Sequence, residues 1–131
     1  MNAIVDSGFL VGLFGEPRLR SWVDGWMQKV TEPVLTTAAH LAEAGHILGN
    51  HLLVMRLVKD GDVKVELDFQ KEAESLYALL GKYPQMDLAD AAIVRLSELF
   101  PRHTVLTVDR RDFTIYRRFG REAIPCDFPP L

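Results

Sequence analysis

Thr104-Val105-Leu106-Thr107-Val108-Asp109 is the stretch on which the fold reading turns. Four of its first five residues are β-branched, and such side chains suit a pleated strand better than a helix. Pro101 ends whatever precedes the run, and an aspartate closes it. The first apolar run of the chain, Ala3-Ile4-Val5, closes the same way on Asp6. Val34–Thr37 and Val63-Lys64-Val65-Glu66-Leu67 supply two more short runs, the second alternating like a half-buried strand. Between these runs lie helical patterns. Glu16-Pro17 opens one through Lys29, with proline in its first turn. A helix from Ala38, capped by Thr36 or Thr37, carries a core stripe of Leu41, Ala44, Leu48, Leu52 and Met55. Residues 70–81 read as helical, and a helix beginning at Asp87 has Leu88, Ala92, Leu96 and Leu99 on its buried face. A short helix over 110–119 and an edge strand over Glu122–Cys126 complete the pattern. Strands alternating with helices predict an α/β fold, an α/β/α sandwich with a mainly parallel sheet of about five strands, in one domain over residues 1–131.

Composition narrows the function classes. The 131 residues carry fifteen Lys plus Arg against eighteen Asp plus Glu, a net charge of −3 that gives no footprint for strong non-specific DNA binding. Hydrophobic residues at 48% and charged ones at 25% are the balance of an ordinary soluble globular chain. One cysteine, Cys126, allows no internal disulfide and no cysteine-rich zinc site, which fits a reducing cytoplasm. The apolar stretch 8–14 is short and preceded by Asp6, unlike an export signal, and no run approaches the roughly 20 apolar residues of a membrane span.

The candidate chemistry lies in the acids. In open α/β sheets, ligands sit beyond the carboxyl ends of the strands, so Asp6 and Asp109 are expected in one crevice. Asp87 and Asp90 stand i, i+3 at the start of the helix preceding the Asp109 strand. Glu43 falls roughly 160° around its helix from Leu41, off the core stripe. Clustered carboxylates raise one another's pKa unless a cation compensates them. Such oxygen donors suit Mg²⁺ or Mn²⁺, and a metal so held can align a phosphodiester and activate water. Local structure offers its own explanation of each. Asp6 and Asp109 also suit turns after strands, Asp87 is a ready N-cap, Asp90 complements the helix dipole, and Glu43 suits a solvated face.

In order and context these stations resemble a PIN domain. The similarity runs through Val5-Asp6-Ser7, Leu41-Ala42-Glu43, Met86-Asp87-Leu88-Ala89-Asp90-Ala91-Ala92-Ile93 and Leu106-Thr107-Val108-Asp109-Arg110-Arg111-Asp112-Phe113. It is greatest to the VapC type, the toxin ribonucleases of toxin–antitoxin pairs. The resemblance implies an endoribonuclease that hydrolyses RNA with Mg²⁺ or Mn²⁺, the metal held by Asp6, Glu43, Asp90 and Asp109. It further implies supporting roles for Ser7, Asp87, Thr107 and Asp112, a small antitoxin as partner, and a homodimer. A PIN-like RNA-binding module that no longer cuts is one alternative. A phosphoacceptor receiver domain is another, although Ser7 stands where that fold wants a second acid and Arg110 where it wants lysine.

Three other features are less specific. Five arginines follow Asp109; of these Arg110 and Arg111 are the candidates for gripping RNA phosphates, against the simpler reading of a solvated helix. His40 and His46 flank Glu43 but lack zincin order, and read as ordinary surface or partly buried histidines. Trp22 and Trp26, at i, i+4, are expected in the core, with an interface as the second reading.

Overall fold

The computed structural model describes residues 1–131. In chain order its first half comprises β1 (Ala3–Val5), α1 (Ser7–Gly12), α2 (Pro17–Lys29), β2 (Val34–Thr36), α3 (Ala38–Leu48), α4 (His51–Lys59) and β3 (Val63–Val65). There follow α5 (Ala73–Lys82), α6 (Leu88–Leu99), β4 (Thr104–Leu106), α7 (Arg110–Phe113), β5 (Arg117–Arg118), β6 (Glu122–Ala123) and β7 (Cys126–Asp127). Five strands form an all-parallel sheet in the order β3-β2-β1-β4-β7. No helix is long and apolar enough to cross a membrane.

The strand residues explain why helices cover both faces. Ala3, Val5, Val34, Val63 and Leu106 pack against Phe9 and Leu10 of α1, Trp22, Val23 and Trp26 of α2, Leu41 of α3 and Val54 of α4. Ile4, Leu35 and Val105, alternating with them, pack against Leu76 of α5 and Ala91, Ile93, Val94 and Leu96 of α6. A sheet buried on both sides needs apolar residues at every position rather than at every second one, and β1 reads Ala-Ile-Val accordingly. The result is the expected α/β/α sandwich.

Several elements depart from the sequence expectation. The helix from Ala38 does not run through Met55: Gly49, with φ of 65°, ends α3 in the left-handed region, and the Asn50 side chain accepts from Leu53 N–H to cap α4. The break rotates the stripe, so Leu52 is 73% and Met55 52% exposed, while Val54 is buried. In α6, Ala92 and Leu96 are buried as expected, but Leu88 and Leu99 lie exposed at its two ends. The stretch 110–119 is helical only over α7, because Arg117–Arg118 pairs with Glu122–Ala123 in a small antiparallel hairpin. The edge strand beside β4 is Cys126–Asp127, after Pro125, rather than Glu122–Cys126. The apolar stretch after Asp6, given no element from the sequence, is α1.

Trp22 and Trp26 sit in the core, and both indole N–H groups donate to Asp127 Oδ2, at 3.0 and 2.6 Å. One carboxylate oxygen thereby ties α2 to the edge strand β7.

The strand order positions the functional site. From β1 the chain moves outward to β2 and β3, then returns to the other side of β1 as β4. Order reverses between β1 and β4, and the crevice beyond their carboxyl ends is where an open α/β sheet binds ligands.

A candidate metal centre at the carboxyl ends of β1 and β4

Three acids of this crevice, Asp6, Asp87 and Asp109, are set by a local backbone requirement. Asp6 leaves β1 and caps α1, its Oδ1 accepting from Phe9 N–H at 2.9 Å. Its Oδ2 accepts from Thr107 Oγ1 at 2.6 Å and from Val108 N–H at 3.1 Å, so the loop after β4 grips the residue after β1. Gly8 permits that approach: a Cβ there would lie 2.7 Å from a Val108 methyl. Asp87 caps α6 through Asp90 N–H at 2.8 Å, and Asp109 caps α7 through Asp112 N–H at 3.0 Å. Asp109 N–H donates to Thr107 Oγ1 at 3.1 Å, which makes Thr107 the joint between Asp6 and Asp109. Glu43, exposed on α3, accepts from Ser7 Oγ at 2.6 Å. Tyr116 Oη–H donates to Asp90 Oδ2 at 2.8 Å.

The strand ends gather these residues around a cavity of about 170 Å³. Asp6, Glu43, Asp90 and Asp109 all line it, together with Ser7, Asp87 and Thr107. Two of these acids also form a tighter set with Asp112. Asp90, Asp109 and Asp112 each offer a carboxylate oxygen within 4.8 Å of the others, an arrangement that can hold a metal ion. Asp112, expected only in a supporting role, thus stands beside Asp90 and Asp109, whereas Asp6 and Glu43 lie on the cavity wall with oxygens engaged by Thr107, Val108, Phe9 and Ser7.

Electrostatics show what the cluster lacks. None of the seven ion pairs in the chain involves an acid of the cavity or Asp112. Burial pushes the Asp6 carboxyl up, against the lowering pull of the Thr107, Phe9 and Val108 hydrogen bonds. Asp90 is pushed up to about 6, chiefly by burial, against the lowering pull of the Tyr116 hydrogen bond and with the charges of Asp87, Asp109 and Asp112 adding to the rise. The Asp112 carboxyl is raised by desolvation and by Asp109, with Arg111 opposing. Carboxylates that raise one another and form no ion pair within the chain could be compensated by a bound cation. Their all-oxygen donor set fits a hard divalent ion rather than copper.

Two residues of the site escaped the sequence reading. His40, treated there with the surface or partly buried histidines, is only 3% exposed and lines the cavity, whereas His46 is exposed. The His40 Nδ1 shares a 2.6 Å hydrogen bond with Thr37 Oγ1, and burial lowers its pKa despite the nearby charges of Asp6, Glu43 and Asp87. The imidazole is therefore neutral at neutral pH. Tyr116 is the other, and no local motif announces it.

The arginine run is less of a patch than its spacing implies. Arg118 is buried, bonded to Glu122 at 2.7 Å and to the carbonyls of Ser97 and Pro101. Arg117 closes the carbonyls of Thr114, Ile115 and Tyr116. Arg110 donates to the Pro129 carbonyl and lies over the Phe128 ring. Arg111 is exposed and forms neither hydrogen bond nor ion pair through its guanidinium, and it stands one residue from Asp112. No family model and no curated protein matches the chain.

Proposed function

We propose that the protein is a Mg²⁺- or Mn²⁺-dependent endoribonuclease of the PIN type. The observation that carries this reading is the convergence of Asp90, Asp109 and Asp112 beside Asp6 and Glu43, with no protein cation paired to any of them, at the switch point of a parallel sheet. Asp90, Asp109 and Asp112 would hold a divalent ion, which would supply Lewis-acid chemistry toward a phosphodiester and an attacking water.

The chain's own groups account for the rest. Asp6 is fixed in place by three hydrogen bonds, and a cation in the cavity would favour its ionised form against the burial that raises its pKa. Glu43 has one oxygen engaged by Ser7 while its Oε2 receives no hydrogen bond, so it can accept a proton from an attacking water. The guanidinium of Arg111 draws in the phosphates flanking the scissile bond, with Arg110 beside it. Within this reading the protein is the toxin of a toxin–antitoxin pair. A small antitoxin is its partner and a homodimer its working form; the support is the PIN resemblance of residues 86–93 and 106–113.

Cleavage of a panel of structured RNAs with Mg²⁺ or Mn²⁺ tests the proposal, comparing the wild type with Asp6→Asn and Asp90→Asn. The wild type is expected to cut, and each variant to lose at least about 100-fold, since even groups that merely support a ligand cost 10–100-fold when removed. Equal cleavage by all three proteins overturns the assignment. No cleavage by any of them, from a preparation free of bound partner, replaces it with an RNA-binding module.

A further inference from the structure

We infer that Tyr116 is a positioning residue for this centre, a strut that fixes the Asp90 carboxylate relative to Asp109 and Asp112. The inference rests on the metal-dependent reading above and extends it to a residue outside the acid cluster.

Asp90 belongs to α6, whereas Asp109 and Asp112 belong to α7 and its cap, so the trio is split between two elements separated by β4. Tyr116 is attached to both. Its backbone N–H donates to the Asp112 carbonyl at 2.9 Å, which binds it to the end of α7. Its hydroxyl reaches across to Asp90 Oδ2 at 2.8 Å. The ring itself is closely packed: Tyr116 is fully buried, edge-on to Phe113 at 5.2 Å and to Tyr83 at 5.1 Å. Tyr83 is anchored in turn, its hydroxyl accepting from Arg117 N–H at 3.0 Å. Asp90 Oδ1 receives no hydrogen bond from the protein, so the contact occupies one oxygen, hinders rotation of the carboxylate and leaves the other open. A buried tyrosine hydroxyl needs some acceptor, but packing alone does not require that acceptor to be a member of the acidic trio. Groups that orient a ligand in this way are commonly worth 10–100-fold in metal affinity.

Mn²⁺ binding read by electron paramagnetic resonance of the free ion tests this without reference to turnover. Tyr116→Phe keeps the ring and both edge-on pairs and removes only the hydroxyl. Tyr83→Phe does the same to its neighbour, outside the trio. The expected result is a 10–100-fold weaker Mn²⁺ affinity for Tyr116→Phe, with Tyr83→Phe at the wild-type value. Wild-type affinity in Tyr116→Phe overturns the inference, and so does an equal loss in both variants, which assigns the effect to packing. A wild type that binds Mn²⁺, weakens on Tyr116→Phe and cuts no RNA upholds the inference while discarding the nuclease reading. A wild type that takes up no Mn²⁺ discards both.

Discussion

Asp90 holds its proton more tightly in the folded chain than in the unfolded one, because burial and three neighbouring carboxylates push it from 3.8 to about 6. The stability that this group contributes is therefore complete below the unfolded value and lost as pH rises through about 6. Metal binding requires the ionised form and so runs the other way. Mn²⁺ should raise the melting temperature more at about pH 7.5 than at about pH 5, where bound protons compete with it; calorimetric scans at both pH values measure this, and an equal or larger shift at the lower pH contradicts it. Asp127 has the opposite sign. Burial raises its carboxyl, but the indole N–H groups of Trp22 and Trp26, the Phe128 N–H and the charge of Lys29 bring it below the usual range. Its contribution is present above the unfolded value and disappears as pH falls through the folded one. Asp127→Ala leaves two buried indole donors without their acceptor and should cost about 2 kcal/mol in urea unfolding at neutral pH. That difference should narrow below about pH 4. The tie made by Asp127 was not legible from the sequence, because it and the two tryptophans lie more than a hundred residues apart. The strand-end acids were legible because a strand terminus is a local signal. Asp112 was partly so, standing three residues after a cap. His40 and Tyr116 depend on contacts that only the folded chain creates.

Capping connects single residues to whole elements. Asp6, Asp87 and Asp109 each cap a helix and also line the cavity, so a cap, expected from the sequence only for Asp87, goes with a place on the cavity wall. A cap fixes the carboxylate at the point where a helix leaves the sheet, which is also where the crevice lies. The same logic read backwards explains the misread helix. The apolar spacing of residues 41–55 continues through Gly49-Asn50, and periodicity outweighed a stop-and-cap pair that was present in the sequence. Gly49→Ala forces a side chain into the left-handed region with no contact to gain, and it should cost about 1 kcal/mol. Urea unfolding measures this, and an unchanged midpoint contradicts the break between α3 and α4. The short strands posed the reverse problem. Ala3–Val5 is bounded as its sequence reads, but the last strand run is shorter than it looks: Thr107 and Val108 belong to the loop that grips Asp6 rather than to β4.

Across the whole molecule, the alternation of strands and helices was enough to predict the sandwich, but not the strand order. Whether β4 returned beside β1 or beside β3 was settled by packing, with Ile4 and Val105 sharing one core and Val5 and Leu106 the other. That return makes the switch point and brings Asp6 within reach of Thr107, 101 residues away. The net charge of −3 likewise conceals an arrangement: several of the eighteen acids converge unpaired on one cavity, while Arg110, Arg117 and Arg118 are engaged by groups elsewhere. In the proposed reading a divalent ion would offset that imbalance and serve phosphodiester hydrolysis. The rate of RNA cleavage under single-turnover conditions, measured against Mn²⁺ concentration for wild type and Asp90→Asn, tests this most directly. The wild-type rate should rise to a plateau with added Mn²⁺ and vanish in chelator, with Asp90→Asn flat throughout. Cleavage that persists in chelator, or that Asp90→Asn matches, contradicts a metal-dependent nuclease built on these acids.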